Sequence, residues 1–188
     1  MITAITREKR LKKCLHWDIV DEGVQIDVNP GLTKAEYVGI KVDDYYKDKH
    51  LKVIPKAVDF IVAVDCECDW YALYILELKG VKRTTGTKAI HEKFTNTIEQ
   101  FMTEEFKDIF LNDRFKYRDV KLYLVTTSYK KAVALGKFDE YQRIRNKVNA
   151  KDTLANDSTL SDKLYFFRGR YYRIEREVPP NPLICKIG

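Results

Sequence analysis

A mixed α/β fold, with one central sheet flanked by helices, is what the order of apolar patterns in this chain predicts. Two near-continuous apolar runs, 53–64 (VIPKAVDFIVAV) and 71–79 (YALYILELK), are separated by the polar stretch 65–70 (DCECDW), as two strands joined by a turn would be. Next come apolar residues at helical spacing, Ile90, Phe94, Ile98, Phe101, Phe106 and Ile109, and after them a third apolar run, 120–127 (VKLYLVTT). At 188 residues, the chain has the length of one domain built on one shared sheet.

Taken in order, 3–17 holds good helix formers with a basic run, Arg7, Lys9, Arg10, Lys12 and Lys13, and predicts a helix whose charged face meets solvent or an anion. Asn29-Pro30-Gly31 marks a turn, and 36–46 (EYVGIKVDDYY) has the β-branched and aromatic content of a strand. The run 53–64 is interrupted early by Pro55 and is apolar on both faces after Asp59, as a buried central strand is. In its hairpin partner, Ala72, Tyr74, Leu76 and Leu78 share one face, and Tyr71, Leu73, Ile75, Glu77 and Lys79 the other. An amphipathic helix is expected over 88–110, a strand over 120–127, a second helical stretch over 138–148 and a polar loop over 149–162. The segment 164–178 (LYFFRGRYYRIEREV) reads as a strand or as a hairpin turning near Gly169, stopped by Pro179-Pro180. The core thus spans about 36–127, with an extension over 138–178.

Hydrophobic residues make up 45% and charged residues 33%, with 8 Gly and 5 Pro, which excludes collagen-like and low-complexity classes. Apolar runs break well before the roughly 20 residues of a membrane helix, and the first residues do not lead into a signal core, so a cytoplasmic protein without a membrane partner is expected. A net charge of +6 and a pI near 9.0 favour a polyanionic partner. Cys14, Cys66, Cys68 and Cys185 are too sparse for a disulfide scaffold, and His16, His50 and His91 are too scattered for the spacing of a zinc site. The loop 80–88 (GVKRTTGTK) has five residues between its glycines, and Thr87 precedes Lys88, so it departs from the phosphate-binding loop pattern. There is no G-x-S-x-G, no dinucleotide glycine fingerprint and no H-E-x-x-H, so serine hydrolase, dehydrogenase and zinc-protease readings have no foothold.

Chemistry concentrates on the paired runs. Glu77 follows Asp59 by 18 positions, enough for one strand to end, turn and return beside it. The two-residue spacing then puts Glu77 and Lys79 on one face. Two carboxylates and an ammonium converge in strands apolar enough to lie inside the sheet, where such groups need partners or a metal ion. Carboxylate oxygens suit magnesium, and a lysine beside the ion orients or deprotonates water and offsets charge on a phosphate, which is the equipment for phosphodiester hydrolysis. The spacing alone fits a structural ion pair at a strand end equally well.

At these residues the chain resembles the PD-(D/E)XK nuclease superfamily, of restriction-endonuclease-like fold, with VDFIVAV as the Asp-bearing strand and YILELKG as the Glu-x-Lys strand, over roughly 36–127. It is similar to small uncharacterised bacterial proteins in which an ELKG strand precedes a helix of Ala-x-x-Gln-Leu-x-x-Thr pattern. Here 90–97 read IHEKFTNT, so Lys93 stands in the Gln position, and Val58 stands where the nominal motif has Pro. The resemblance implies a magnesium-dependent deoxyribonuclease, manganese substituting, with Asp59 and Glu77 on the metal and Lys79 assisting the attacking water. It further implies a carboxylate from the first helix, for which Glu8 is the candidate and Glu36 its competitor. It also implies DNA as partner, with a second protein subunit of a restriction or phage-defence system, or a homodimer, beside it.

Other residues leave alternatives open. Asp43 and Asp44 either approach the ion or form a solvated pair. Lys93, Thr97, Gln100 and Glu104 share one side of the long helix, facing site or solvent. Arg168, Arg170, Arg173 and Arg176 interleave with Tyr165, Phe166, Phe167, Tyr171 and Tyr172, either as a base-stacking, phosphate-neutralising surface or as the wet face of an edge hairpin. The competing functional class is a non-catalytic nucleic-acid-binding or protein-interaction subunit, and RNA is the alternative substrate.

Overall fold

The structure is a computed structural model and describes residues 1–49, 52–80, 86–126, 162–177 and 179–188. A six-stranded mixed sheet organises it. Strands β1 (Leu15–His16), β4 (Tyr37–Lys41), β5 (Phe60–Asp65), β6 (Trp70–Lys79), β7 (Lys116–Thr126) and β10 (Ile174–Glu177) lie side by side in that order. The first three pairings are antiparallel, and β6 with β7 and β7 with β10 are parallel. Two small hairpins stand outside it, β2 (Ile19–Asp21) with β3 (Val24–Ile26), and β8 (Tyr165–Phe167) with β9 (Arg170–Tyr172).

Both faces of the central strands are covered, which is why they read as continuous apolar runs. One face carries Ile61, Ala63, Leu73 and Ile75 and packs on Ile5, Leu11, Tyr46, Phe94, Phe101 and Phe106 from the helical layer. The other carries Phe60, Val62, Val64, Ala72, Tyr74, Leu76 and Leu78 and packs on Ile19, Val24 and Ile26 of the β2–β3 hairpin and on Ile184. The C-terminal segment is tied down by a bridge between Val28 and Ile184 and by backbone bonds between Asp27, Asn29 and Ile184. Among the described residues no helix is long and apolar enough to cross a membrane.

Three elements differ from expectation. The helix expected over 3–17 is α1 (Ile2–Arg7), then a 3₁₀ helix over Lys9–Cys14, then β1. Glu8 is extended, with φ −68° and ψ 111°, and its carboxylate accepts the Arg10 N–H at 3.0 Å, so a side-chain cap starts a new helix there. The strand expected over 36–46 stops at Lys41 and continues as α2 (Val42–Lys47). Asp43 and Asp44 occupy the first turn of α2 and pair with Lys47, while Tyr45 and Tyr46 turn inward onto Phe101. The single helix expected over 88–110 is α3 (Thr87–Asn96), a π-helical stretch over Thr97–Glu105 and α4 (Lys107–Phe110). The segment 164–178 takes the hairpin form, turning through Arg168 and Gly169 at positive φ, and goes on to join the main sheet as β10. The helix expected over 138–148 lies outside the described residues, as does all but the last residue of the loop expected over 149–162.

Candidate active site

The site follows from strand parity. Phe60 is opposite Leu76 in the β5–β6 ladder, so the next position outward sets Asp59 opposite Glu77. Alternation from Ile61 puts Asp59 on the helical face, and alternation from Leu73 and Ile75 puts Glu77 and Lys79 on the same face. Asp59, Glu77 and Lys79 are all buried, together with Thr97 the buried polar side chains among the described residues. Sequence spacing therefore locates three of the groups that meet here.

The fourth comes from α3, which lies over this end of the sheet. The Lys93 ammonium donates to both Glu77 oxygens, at 2.7 Å and 2.9 Å, and stands 3.5 Å from Asp59 Oδ1. Lys79 Nζ lies 2.8 Å from Glu77 Oε1. Asp59 Oδ2 accepts the Leu78 backbone N–H at 2.6 Å, fixing the carboxylate across the strand pair. One turn along the helix from Lys93, Thr97 Oγ1 accepts the Val58 N–H at 3.0 Å, so α3 is pinned to the residue next to Asp59. Of the polar side expected on the long helix, Lys93 and Thr97 face the sheet, whereas Glu104 is exposed. The π-helical pitch from Thr97 onward rotates the later residues away from the line an α-helix would keep.

Electrostatically the cluster is two carboxylates against two ammoniums in a poorly hydrated place. Burial pushes the Asp59 carboxyl up to about 7, and the neighbouring charge of Glu77 adds to the shift, against the pull of Lys93, Lys79 and the Leu78 amide. Burial of Lys79 works to lower its affinity for a proton, but the Glu77 charge and hydrogen bond, with Asp59 and Glu22, outweigh it and hold the pKa above the ordinary lysine value. Lys79 is therefore an ammonium at neutral pH.

Glu22 is the contributor that sequence reading misses. It sits with Gly23 at the turn of the β2–β3 hairpin, both at positive φ, and packs so tightly on Gly80 that a Cβ there would lie 2.9 Å from the Glu22 carbonyl oxygen. Its carboxylate is felt by Lys79. The Glu-Gly pair between two three-residue strands is the turn signal that could have revealed it. The carboxylates proposed from sequence lie elsewhere. Glu8 pairs with Arg10, and Glu36 pairs with Lys186 beside Asp65, at the opposite end of β5 from Asp59. Asp43 and Asp44 are engaged with Lys47 on α2.

Asp59 and Glu77 fit magnesium in kind, as hard oxygen donors side by side. Among the described residues no group of three or more His, Cys, Asp or Glu side chains is placed to hold an ion, so the other ligands would be water and phosphate oxygens, as is usual for magnesium. Lys93 bridges the two carboxylates, and its flexible stem allows the ammonium to withdraw. Comparison with known proteins finds no family model, curated protein or solved structure that matches the chain.

Proposed function

We propose that the protein is a metal-dependent nuclease of restriction-endonuclease-like fold that hydrolyses DNA phosphodiester bonds at Asp59, Glu77 and Lys79. The observation that carries the reading is the buried convergence of these three side chains on one face of adjacent central strands. Burying two carboxylates and a lysine together is unfavourable for folding alone, and such groups with shifted protonation gather at functional sites.

Asp59 and Glu77 would hold magnesium or manganese, which when bound supplies Lewis-acid polarisation of a phosphoryl oxygen and a more acidic water. Asp59 would have to be ionised to serve as a ligand, so the proton that burial favours on it would be lost when an ion is held there. Lys79 is charged, so it orients the attacking water as a hydrogen-bond donor and offsets negative charge on the phosphate, and does not serve as the base. Lys93 leaves Glu77 for the incoming phosphate, exchanging one anion for another.

The competing reading, a nucleic-acid-binding subunit without turnover, is favoured by the same Lys93 contacts, which already neutralise the carboxylates. Calorimetric titration of magnesium and manganese into wild type and Asp59→Ala, with DNA cleavage assayed alongside, separates the two. Metal binding lost in the variant, with cleavage falling by about 10²-fold or more in Asp59→Ala and in Lys79→Ala, is the expected result. Full cleavage by either purified variant overturns the assignment.

A further inference from the structure

The β8–β9 hairpin presents a surface that the site above does not use. Its inward residues, Tyr165 and Phe167, are buried: Tyr165 packs on Phe94 and its hydroxyl meets His91 Nδ1 at 2.6 Å, while Phe167 packs on Tyr117. The turn is anchored by Arg168, which donates to the Phe115 carbonyl at 3.3 Å and pairs with Asp113 at 3.5 Å. The hairpin is thus clamped to α3 and to the start of β7.

Outward, Phe166 and Tyr171 are a directly opposed cross-strand pair with ring centroids 5.1 Å apart, and they remain 58% and 66% exposed. Leu164, two residues before Phe166, is also exposed. Burying such rings would be favourable, and two of them paired in solvent beside exposed Leu164 form a contiguous apolar patch of the kind that contact surfaces use. The charge around it selects the partner. From Lys163 to Arg173 the chain carries Lys163, Arg168, Arg170 and Arg173 and no acidic residue. Arg170 and Arg173, on either side of the two tyrosines, are exposed and make no ion pair among the described residues.

We infer that the Phe166–Tyr171 pair is a stacking platform for unpaired bases of a single-stranded nucleic acid, with Arg170 and Arg173 on its phosphates. Aromatic rings stack on any base, but a base inside a duplex has its faces covered, so a protruding pair engages a single strand. The arginines supply the salt-dependent part of the binding. Lys163 bonds Thr95 at 2.8 Å and Tyr165 bonds His91, so the platform is fixed to the helix that delivers Lys93 to Glu77. The inference deepens the nuclease reading by naming the form of its substrate, and rests on that reading for the choice of a polynucleotide; the binding itself requires no turnover.

The test is fluorescence anisotropy of the full chain with labelled oligothymidine, oligouridine and a DNA duplex of matched length, in chelator, for wild type, Phe166→Ala, Tyr171→Ala, Tyr171→Trp and Arg170→Ala. Single strands are expected to bind more tightly than duplex, each alanine at a ring to weaken them by about tenfold, Trp at 171 to retain binding, and Arg170→Ala to flatten the salt dependence. The thymidine and uridine arms tell a DNA strand from an RNA strand. Unchanged single-strand affinity in Phe166→Ala and Tyr171→Ala overturns the platform. So does a sedimentation shift showing that the rings instead hold two copies of the chain together. Ring-dependent binding with no cleavage in magnesium or manganese keeps the platform and removes the nuclease reading; cleavage with ring-independent binding does the reverse.

Discussion

Lys93 and Glu77 meet head to head, the ammonium donating to both carboxylate oxygens at 2.7 Å and 2.9 Å from opposite sides of the boundary between helix and sheet. The contact joins α3 to the strand that carries the candidate chemistry, and it makes one group both a structural partner and a competitor for whatever binds the carboxylates.

This double role separates two substitutions. Glu77→Ala removes the carboxylate that Lys79 and Lys93 share, leaving Lys93 only the longer contact to Asp59 at 3.5 Å, and is expected to destabilise the protein by about 3–5 kcal/mol. Lys93→Met leaves Glu77 with Lys79 and is expected to lose less, about 1–3 kcal/mol, while tightening magnesium binding because a competing cation is gone. Urea unfolding gives the ranking and calorimetry the affinity. A Lys93→Met protein that binds magnesium more weakly than wild type would show that Lys93 assists the ion.

Asp59 makes stability depend on pH with a definite sign. Its carboxyl is held up to about 7 in the folded protein, against an ordinary value of 3.8. Between those values the folded state keeps a proton that the unfolded chain has released, so this group's contribution to stability declines as pH rises through the window and levels off above it. Asp59→Asn should remove that slope, and magnesium affinity of the wild type should climb over the same range as the ion displaces the proton. Denaturant midpoints measured from about pH 4 to about pH 8 that run parallel in wild type and variant would contradict this.

Thr97 links the helix to the strand without touching the charges. Thr97→Val keeps the shape but leaves the buried Val58 N–H without its acceptor, at an expected loss of about 1–3 kcal/mol. Because Val58 adjoins Asp59, hydrogen exchange at the Val58 amide should accelerate more than at Ile61, on the interior of β5. Equal acceleration at both would mean that the bond does not fix this end locally.

Asp59, Glu77 and Lys79 can be brought together from sequence because strand parity is strict and a short polar stretch forces an antiparallel return; these rules need no knowledge of the rest of the chain. Lys93 obeys no such rule. Its place on a polar helix face is compatible with solvent until the helix is docked, and docking is decided by Phe94, Phe101 and Phe106 in the core. The β2–β3 hairpin escapes because three-residue strands are too short to show alternation, and Glu22 escapes with it. The break at Lys41 is hidden by Tyr45 and Tyr46, whose β-favouring side chains serve equally well as the buried side of one helical turn. The π-helical stretch leaves the apolar residues of 97–105 close enough to α-helical spacing that no pattern exposes it.

The connection between β5 and β6 spans only 66–69, whereas β6 reaches its parallel neighbour β7 after the whole helical passage. Short loops close first, so the hairpin is expected to precede the parallel ladder in time. Asp59, Glu77 and Lys79 then come together while Lys93 is still elsewhere, and until α3 arrives the two carboxylates face one ammonium in place of two. On this order the Lys93 contacts to Glu77 and Asp59 would form after the rate-limiting step. In stopped-flow measurements Lys93→Met should mainly speed unfolding and barely slow folding; the opposite partition would put the helix in the folding nucleus.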